Sequence, residues 1–418
     1  MSTSVHPERA FPNEADLALH PRKTGVIRVH RYLPFAAFYF FLNHAGLPIG
    51  LFYTSLLSPF LFIWLYLQKC RWLTTKFLLV LSPFMLAHIM LGIPDPANYL
   101  RTLLHWWTAY IAVCAICWSL WKCNNLGRIF DELILINFCM ALISLAIRPT
   151  PLQSLVWMDT SPITGGPSVL RLNLFTHEPS AYAELMFPLL IYAVLVLLRH
   201  STMRNVAYLA MILLPLMLSQ SFGGLSISAA AIAAALVAGR RQLLRSTRSR
   251  LLLVGLFIAI SVLIVVPNTI SARIFQVVAG NDGSAQGRTI FAFIGAYVVA
   301  TSKSIWWGVG LGQMKMMDIS FLGFGLTNGV PDEVAGIFAE FGIFGVSLML
   351  AVQGYFFFKT KVYRNLFQLA MFVVAFSQQF TGSFGTDVQE YLMWFLAFNN
   401  FFPEFNMRHD TRVEVSRA

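Results

Sequence analysis

The sequence predicts an all-α integral membrane protein of about twelve transmembrane helices, and three observations carry that expectation. The 418-residue chain is 57% hydrophobic and only 12% charged, where a soluble protein carries about 25% charged residues. Long apolar stretches recur at close to the roughly 20 residues that a helix needs to cross a bilayer. The net charge of +11 is also unevenly spread, because Lys and Arg gather in alternate connections, as they do in cytoplasmic loops. A pI near 9.6 would otherwise suggest a nucleic-acid partner. The alternation accounts for the basicity, so none is expected.

The spans are read at 32–46, 48–67, 77–93, 103–121, 129–147, 181–198, 205–220, 222–238, 251–267, 337–357, 365–381 and 388–403. With the N-terminus inside, the even-numbered connections hold Lys69, Arg71 and Lys76, then Lys122 and Arg128, Arg199 and Arg204, Arg240 to Arg250, and Lys359, Lys361 and Arg364. The tails agree, with Arg22, Lys23, Arg28 and Arg31 at one end and Arg408, Arg412 and Arg417 at the other. The expected organisation is a cytoplasmic tail at 1–31, a polytopic membrane domain at 32–403 and a cytoplasmic tail at 404–418. The connections at 94–102, 148–180 and 268–336 fall outside and are poor in Lys and Arg for their length.

The first two spans are divided at Gly46-Leu47-Pro48, a turn-forming run that follows the polar pair Asn43-His44. The first 31 residues are polar and show no cleavable signal pattern. The cysteines are Cys70, Cys114, Cys117, Cys123 and Cys139, all within spans or on the inner side. Cys114-x-x-Cys117 lies in an apolar helix, where core packing is the reading, so no metal site is expected. No internal repeat stands out, which disfavours carriers built from repeated halves.

The two long external loops hold the candidate chemistry. In the smaller, Leu170-Arg171-Leu172 leads to His177-Glu178-Pro179-Ser180. Pro179 suits the first turn of the sixth span, so His177 and Glu178 stand at its mouth, and Glu184 lies further in on another side. Glu178 is open to two readings, a functional carboxylate or an acid favoured by a helix start. In the larger loop, Gly287-Arg288-Thr289 opens an apolar run from Ile290 to Thr301, too short to span but long enough for an interfacial helix. Trp306 and Trp307 follow at the expected headgroup level. Gly308-Val309-Gly310-Leu311-Gly312 lacks the strand and Lys of a phosphate-binding loop and reads as a turn. Asn328-Gly329-Val330-Pro331-Asp332-Glu333 then precedes a helix that enters the tenth span through Glu340 and Gly342. Arg171 and Arg288 are guanidiniums on separate loops, suited to hold a diphosphate bidentately or, equally open, to snorkel at the interface.

Gly287-Arg288-Thr289, Trp306-Trp307, the glycine run 308–312 and Glu340-Phe341-Gly342-Ile343-Phe344-Gly345, taken in order, resemble the O-antigen ligase and Wzy-type polymerase superfamily. Arg171 to Ala183, with Glu178-Pro179-Ser180, is similar to that family's segment after its smaller external loop. The resemblance implies a GT-C-like fold with short interfacial helices in the large loop. It also implies a bacterial inner-membrane enzyme that transfers glycan on the periplasmic face from an undecaprenyl-diphosphate-linked oligosaccharide, with no cofactor or required metal. A flippase and a chain-length regulator of the same pathway are the implied protein partners.

By the same resemblance Arg288 takes the place of the family's loop arginine and Arg171 that of its second, together holding the diphosphate as charge grows on the leaving group. Asp332, Glu333 or Glu178 would orient or deprotonate the acceptor hydroxyl. His177, Trp306 and Trp307 are candidate substrate contacts. Ligases of the family carry a histidine shortly before the Glu-x-Gly segment. This chain has Pro331-Asp332-Glu333 there and no histidine from 201 to 408, which favours a polymerase of exopolysaccharide or O-antigen. A ligase that acts on a lipid A core, and a transporter or flippase of lipid-linked sugar, are the alternatives.

Overall fold

The computed structural model describes residues 53–68, 70, 73–122, 125–159, 170–174, 176, 178–240, 290–316, 332–381 and 388–407. The expected first and ninth spans, both tails apart from 404–407, and His177, Arg288 and Cys123 lie outside these residues. In chain order the main elements are α1 (Tyr53–Leu67), α2 (Leu73–Met90), α3 (Pro96–Trp121), α4 (Leu126–Ile147), β1 (Trp157–Asp159), β2 (Leu170–Leu172), α5 (Pro179–Arg199), α6 (Met203–Ser219), α7 (Phe222–Ala238), α8 (Ile290–Thr301), α9 (Glu333–Lys359), α10 (Leu366–Gln378) and α11 (Val388–Phe398). The protein is thus mostly helical, and α2, α3, α4, α5 and α9 are each long and apolar enough to cross a membrane.

Helix limits follow local signals. α3 starts at Pro96, earlier than the 103 expected, because Asp95 accepts the Asn98 N–H at 3.0 Å and Pro96 fits the first turn. α8 occupies the apolar run read from the sequence, with the same ends. α11 ends at Phe398, short of 403; Asn399 turns its amide back to the Phe395 carbonyl at 2.8 Å. Among the described residues the strands are confined to a small antiparallel ribbon, β1 with β2, in which Met158 faces Arg171. Each strand is three residues long, too short to show a period of two in the sequence.

The core is built around α5. Its segment is 83% buried, far more than any other span-length helix, and it packs on α4, α6, α7, α10 and α11. A helix that is apolar all round belongs inside a bundle. One end of the bundle is closed by polar ties, with Asn365 capping α10 and donating to Asn400, Phe402 and Asn406. Arg204 joins Asp131 there at 3.2 Å. Beneath these ties Phe130, Tyr192, Phe367, Phe402 and Phe405 interlock.

At the opposite end, segments distant in sequence are stapled together. Gln313 is fully buried and exchanges two bonds with the Asp95 backbone, at 2.8 and 2.9 Å. Asn98 donates to the Gly312 carbonyl at 2.6 Å, and Lys303 donates to the Gly92 carbonyl. The connections around 94–102 and 303–313, assigned to one side by charge, therefore meet at one end.

The central irregularity is in α9, whose backbone breaks at Gly342 (φ 65°, ψ −162°). A break frees carbonyls before it and N–H groups after it, each costly to leave unpaired in an apolar interior. The 305–310 segment takes up four of them: Val309 and Gly310 donate to Ala339 and Glu340 at 2.9 and 3.0 Å, while Ile305 and Trp306 accept from Ile343 and Phe344 at 3.0 and 3.2 Å. The approach requires glycine on both sides. A Cβ on Gly342 would lie 2.4 Å from the Trp306 carbonyl, and one on Gly308 would lie 2.4 Å from the Glu340 carbonyl carbon. Both residues also have positive φ.

Gly342→Ala and Gly308→Ala should each lower stability by about 3 kcal/mol, the upper end of the cost of overpacking. Gly336→Ala and Gly354→Ala, where a new Cβ meets nothing within 4 Å, should instead gain up to about 1 kcal/mol from helix propensity. Thermal unfolding of the purified protein in detergent separates the two pairs; equal midpoints for all four would remove the requirement for close approach.

Candidate functional site

Arg171 sits on β2 and is nine-tenths buried. Its Nε donates to the Ser219 carbonyl at 2.9 Å, at the C-terminal end of α6, where the last carbonyls of a helix want donors. This bond fixes the guanidinium plane against the α6–α7 corner, which Gln220 turns in the left-handed conformation. The ribbon is itself held by Trp157, whose indole donates to Ser144 on α4 at 2.9 Å.

Glu178 stands at the N-cap of α5, directly before Pro179, as the sequence implied. Its side chain makes no cap bond; Oε2 accepts from the Ser180 hydroxyl at 2.8 Å. Five residues into α5 from Pro179, Glu184 accepts from Gln389 on α11. Gln389 and its neighbour Glu390 are both 2% exposed. Trp394 donates to Glu390 at 3.2 Å, which holds that carboxylate along α11.

Asp332 and Glu333 differ from the expectation of carboxylates on an open loop. Both are buried, Asp332 to 1% exposure, because α9 begins at Glu333 and runs inward as far as its break. Asp332 caps that helix: Oδ1 accepts the Ala335 N–H at 2.8 Å, while Oδ2 is buried with no hydrogen-bond partner among the described residues. Val334 donates its N–H to the Gln379 carbonyl at 3.2 Å, tying the start of α9 to the end of α10. Burial pushes the Asp332 carboxyl up to about 6, the cap bonds oppose the rise, and the charge of Glu390 adds to it.

The carboxylates of α5, α9 and α11 therefore gather round one buried belt. Residues that the sequence reading omits join it: Glu390 and Gln389 on α11, Gln353 on α9 and Gln379 just after α10, all less than 8% exposed. The available signal was an amide or acid in an otherwise apolar run, which marks function when a group so costly to bury is retained.

Trp306 and Trp307 occupy a different neighbourhood, beside the α9 break. Trp306 is exposed and packs on Phe344 at 5.5 Å between ring centroids. Trp307 lies against Phe344 and Phe84, and its carbonyl accepts from His88 Nε2 at 2.9 Å. A carbonyl only accepts, so Nε2 carries the proton, and in the neutral ring Nδ1 accepts a hydrogen bond from the Tyr99 hydroxyl at 3.0 Å. With both nitrogens used and no surface exposed, His88 is a structural tie. Among the described residues no group of three or more His, Cys, Asp and Glu is placed to hold a metal ion.

Asp332→Asn keeps the oxygen that caps Ala335 and removes the buried charge. The wild-type carboxyl is raised in the fold, so ionisation costs stability as pH climbs from the ordinary 3.8 through about 6. The variant should match wild type near pH 4, become more stable between those values and keep a constant advantage above pH 7. Thermal midpoints across pH check this, and a wild-type advantage at pH 8 would contradict it. No protein-family model matches the chain, and no curated protein matches it either.

Proposed function

We propose that the protein is a polytopic glycosyltransferase of about twelve spans with a GT-C-like fold, lying in the bacterial inner membrane with both termini cytoplasmic. It would polymerise undecaprenyl-diphosphate-linked oligosaccharide repeats of an exopolysaccharide or O-antigen on the periplasmic face. The observation that carries the reading is Asp332, a buried carboxyl with one oxygen spent on its helix and the other open, and with a proton affinity near neutrality. A general base works best with a pKa near the working pH. A carboxylate in this position supplies what the missing loop histidine would otherwise provide.

In the proposed reaction Asp332 takes the proton of an acceptor sugar hydroxyl as that oxygen bonds to the anomeric carbon of the donor. The bond from that carbon to the lipid diphosphate breaks, and the diphosphate leaves with the electron pair. Arg171, oriented through Ser219, and Arg288 are assigned to the diphosphate oxygens, where charge grows in the transition state. Glu178, Glu184, Glu333 and Glu390 supply further acceptors for sugar hydroxyls. Displacement without a protein nucleophile inverts the anomeric configuration.

The test replaces the native copy with Arg171→Ala, Arg288→Ala or Asp332→Asn and measures the length distribution of surface glycan. Each variant should lose long chains, with turnover down about 100-fold or more, while single repeats remain attached. Loss of every repeat from the lipid core would identify a ligase, and long chains from all three variants at normal protein levels would defeat the reading. In purified enzyme, kcat should fall tenfold per pH unit below about pH 6 as Asp332 is protonated, and level off above it.

A further inference from the structure

α2 touches α3 near its start, where the Phe77 and Tyr110 rings lie 5.3 Å apart, and α11 packs on α3 from another side. Between α2 and α11 a cleft of about 280 Å³ is left open. Phe77, Leu81, Trp106, Val113 and Tyr391 line it, and its walls are almost entirely apolar. Its charged member is Lys76, on the first turn of α2. Lys76 is exposed and makes no ion pair among the described residues.

That position is costly for a cation. Val113 stands eight residues before the end of α3 at Trp121, roughly 12 Å of helix, so the cleft lies within the thickness of the bundle. Trp118 and Trp121 sit together at the end of α3, with the Lys122 ammonium 4.7 Å from the Trp118 ring centroid, an arrangement suited to the headgroup level. A cation further in is retained where an anion meets it. At the α1–α2 corner burial raises the Cys70 thiol while the charges of Lys122 and Lys76 lower it, so both ammonium groups border that corner. The start of α2 adds the positive end of its dipole on the same side.

An occupant of the cleft has to meet two demands at once. A hydrocarbon chain alone would fill it and leave Lys76 without a counter-charge. A free anion would pair with Lys76 and leave the apolar walls empty. A phospholipid with a net negative head group satisfies both, with one acyl chain in the cleft and its phosphate at Lys76. The tail of a donor held at Arg171 would arrive from the other end, because Arg171 bonds the end of α6 farthest from Arg204. Such a tail would bring only hydrocarbon to Lys76.

We propose that the cleft between α2, α3 and α11 is a binding site for an anionic phospholipid, whose phosphate pairs with Lys76 and whose acyl chain lies against Leu81, Trp106 and Val113. The site stands apart from the buried acids and does not depend on the reaction assigned to them. Tyr391 in its wall directly follows Glu390, so the bound chain packs on the helix that carries one of those acids.

The test reconstitutes the full chain in phosphatidylcholine vesicles with a trace of phosphatidylglycerol or phosphatidylcholine that carries a photoreactive acyl chain, and reads the labelled peptides by mass spectrometry. Phosphatidylglycerol should label 76–81 and 106–113 roughly fivefold more than phosphatidylcholine does, the preference that one lysine gives near a membrane surface. Lys76→Gln should abolish the preference, and Lys76→Arg should keep it. Val113→Trp, which fills the cleft, should remove the phosphatidylglycerol label from both segments. Equal labelling by the two lipids in wild type, or an undiminished preference in Lys76→Gln, overturns the proposal. Label that persists in Val113→Trp does so too, and if that variant does not fold the Lys76 comparison decides alone. Displacement of the phosphatidylglycerol label by unlabelled undecaprenyl diphosphate would give the cleft to a donor's tail and overturn the phospholipid assignment.

Discussion

In an apolar interior a backbone group has nowhere to find water, so a helix that stops there must hand its hydrogen bonds to another segment. At Gly342 this happens across four bonds, two on each side of the break, with residues 305–310 as the receiving segment. Two glycines with positive φ make the approach possible, and the loss of either methyl-free surface would force the strands of chain apart. The fixed break in turn decides where Asp332 lies. A straight α9 would carry its first turn along the helix axis, away from Gln379, and the Val334–Gln379 bond that anchors the buried carboxyl could not form.

Around this geometry the protein concentrates its costs. Burying Asp332 beside Glu390 works against stability at neutral pH, and no described bond on Oδ2 repays it. The polar ties that hold the two ends of the bundle are saturated: Asn365 uses both its oxygen and its amide, and His88 uses both ring nitrogens. A buried carboxylate oxygen without a donor is costly, and a group so costly calls for an explanation. The amide ties at Gln313 and Asn98 are part of the same plan, since they hold the 308–312 turn down on α2 and α3 while α9 is broken against it.

Much of this was legible in the residues and some was not, for definite reasons. Helices with a strong signal at one end were read well, as with Pro179 at the start of α5 and the Ile290–Thr301 run. The start of α3 was missed although Asp95-Pro96 signals it, because hydropathy falls before the helix does. Asp332 and Glu333 stand out by charge and read as loop carboxylates; their burial depends on the break at Gly342, and a glycine within a helical pattern does not announce a positive φ. Gln389 and Glu390 give no signal in the sequence, because at the head of an apolar run they look like an ordinary first turn. What joins them to Asp332 and Glu184 is packing between α5, α9 and α11, which no local pattern encodes.

The distribution of polar groups also bears on the choice between chemistry and transport. A carrier of a polar head group needs a route of polar contacts through the bundle that can open at each end in turn. Here the buried acids and free amide oxygens gather at one level, between Asp332, Glu184, Glu390 and Gln353. Towards the far end stands a packed group of rings, Phe130, Tyr192, Phe367, Phe402 and Phe405, with centroids 4.6 to 6.5 Å apart. Beyond it Asn365 ties α10 to the turn after α11. Opening that end would mean separating the aromatic cluster and breaking all three Asn365 Nδ2 contacts at once. A cluster of buried acids and amides that is packed shut on one side lacks the continuous polar route that carrying a head group across requires.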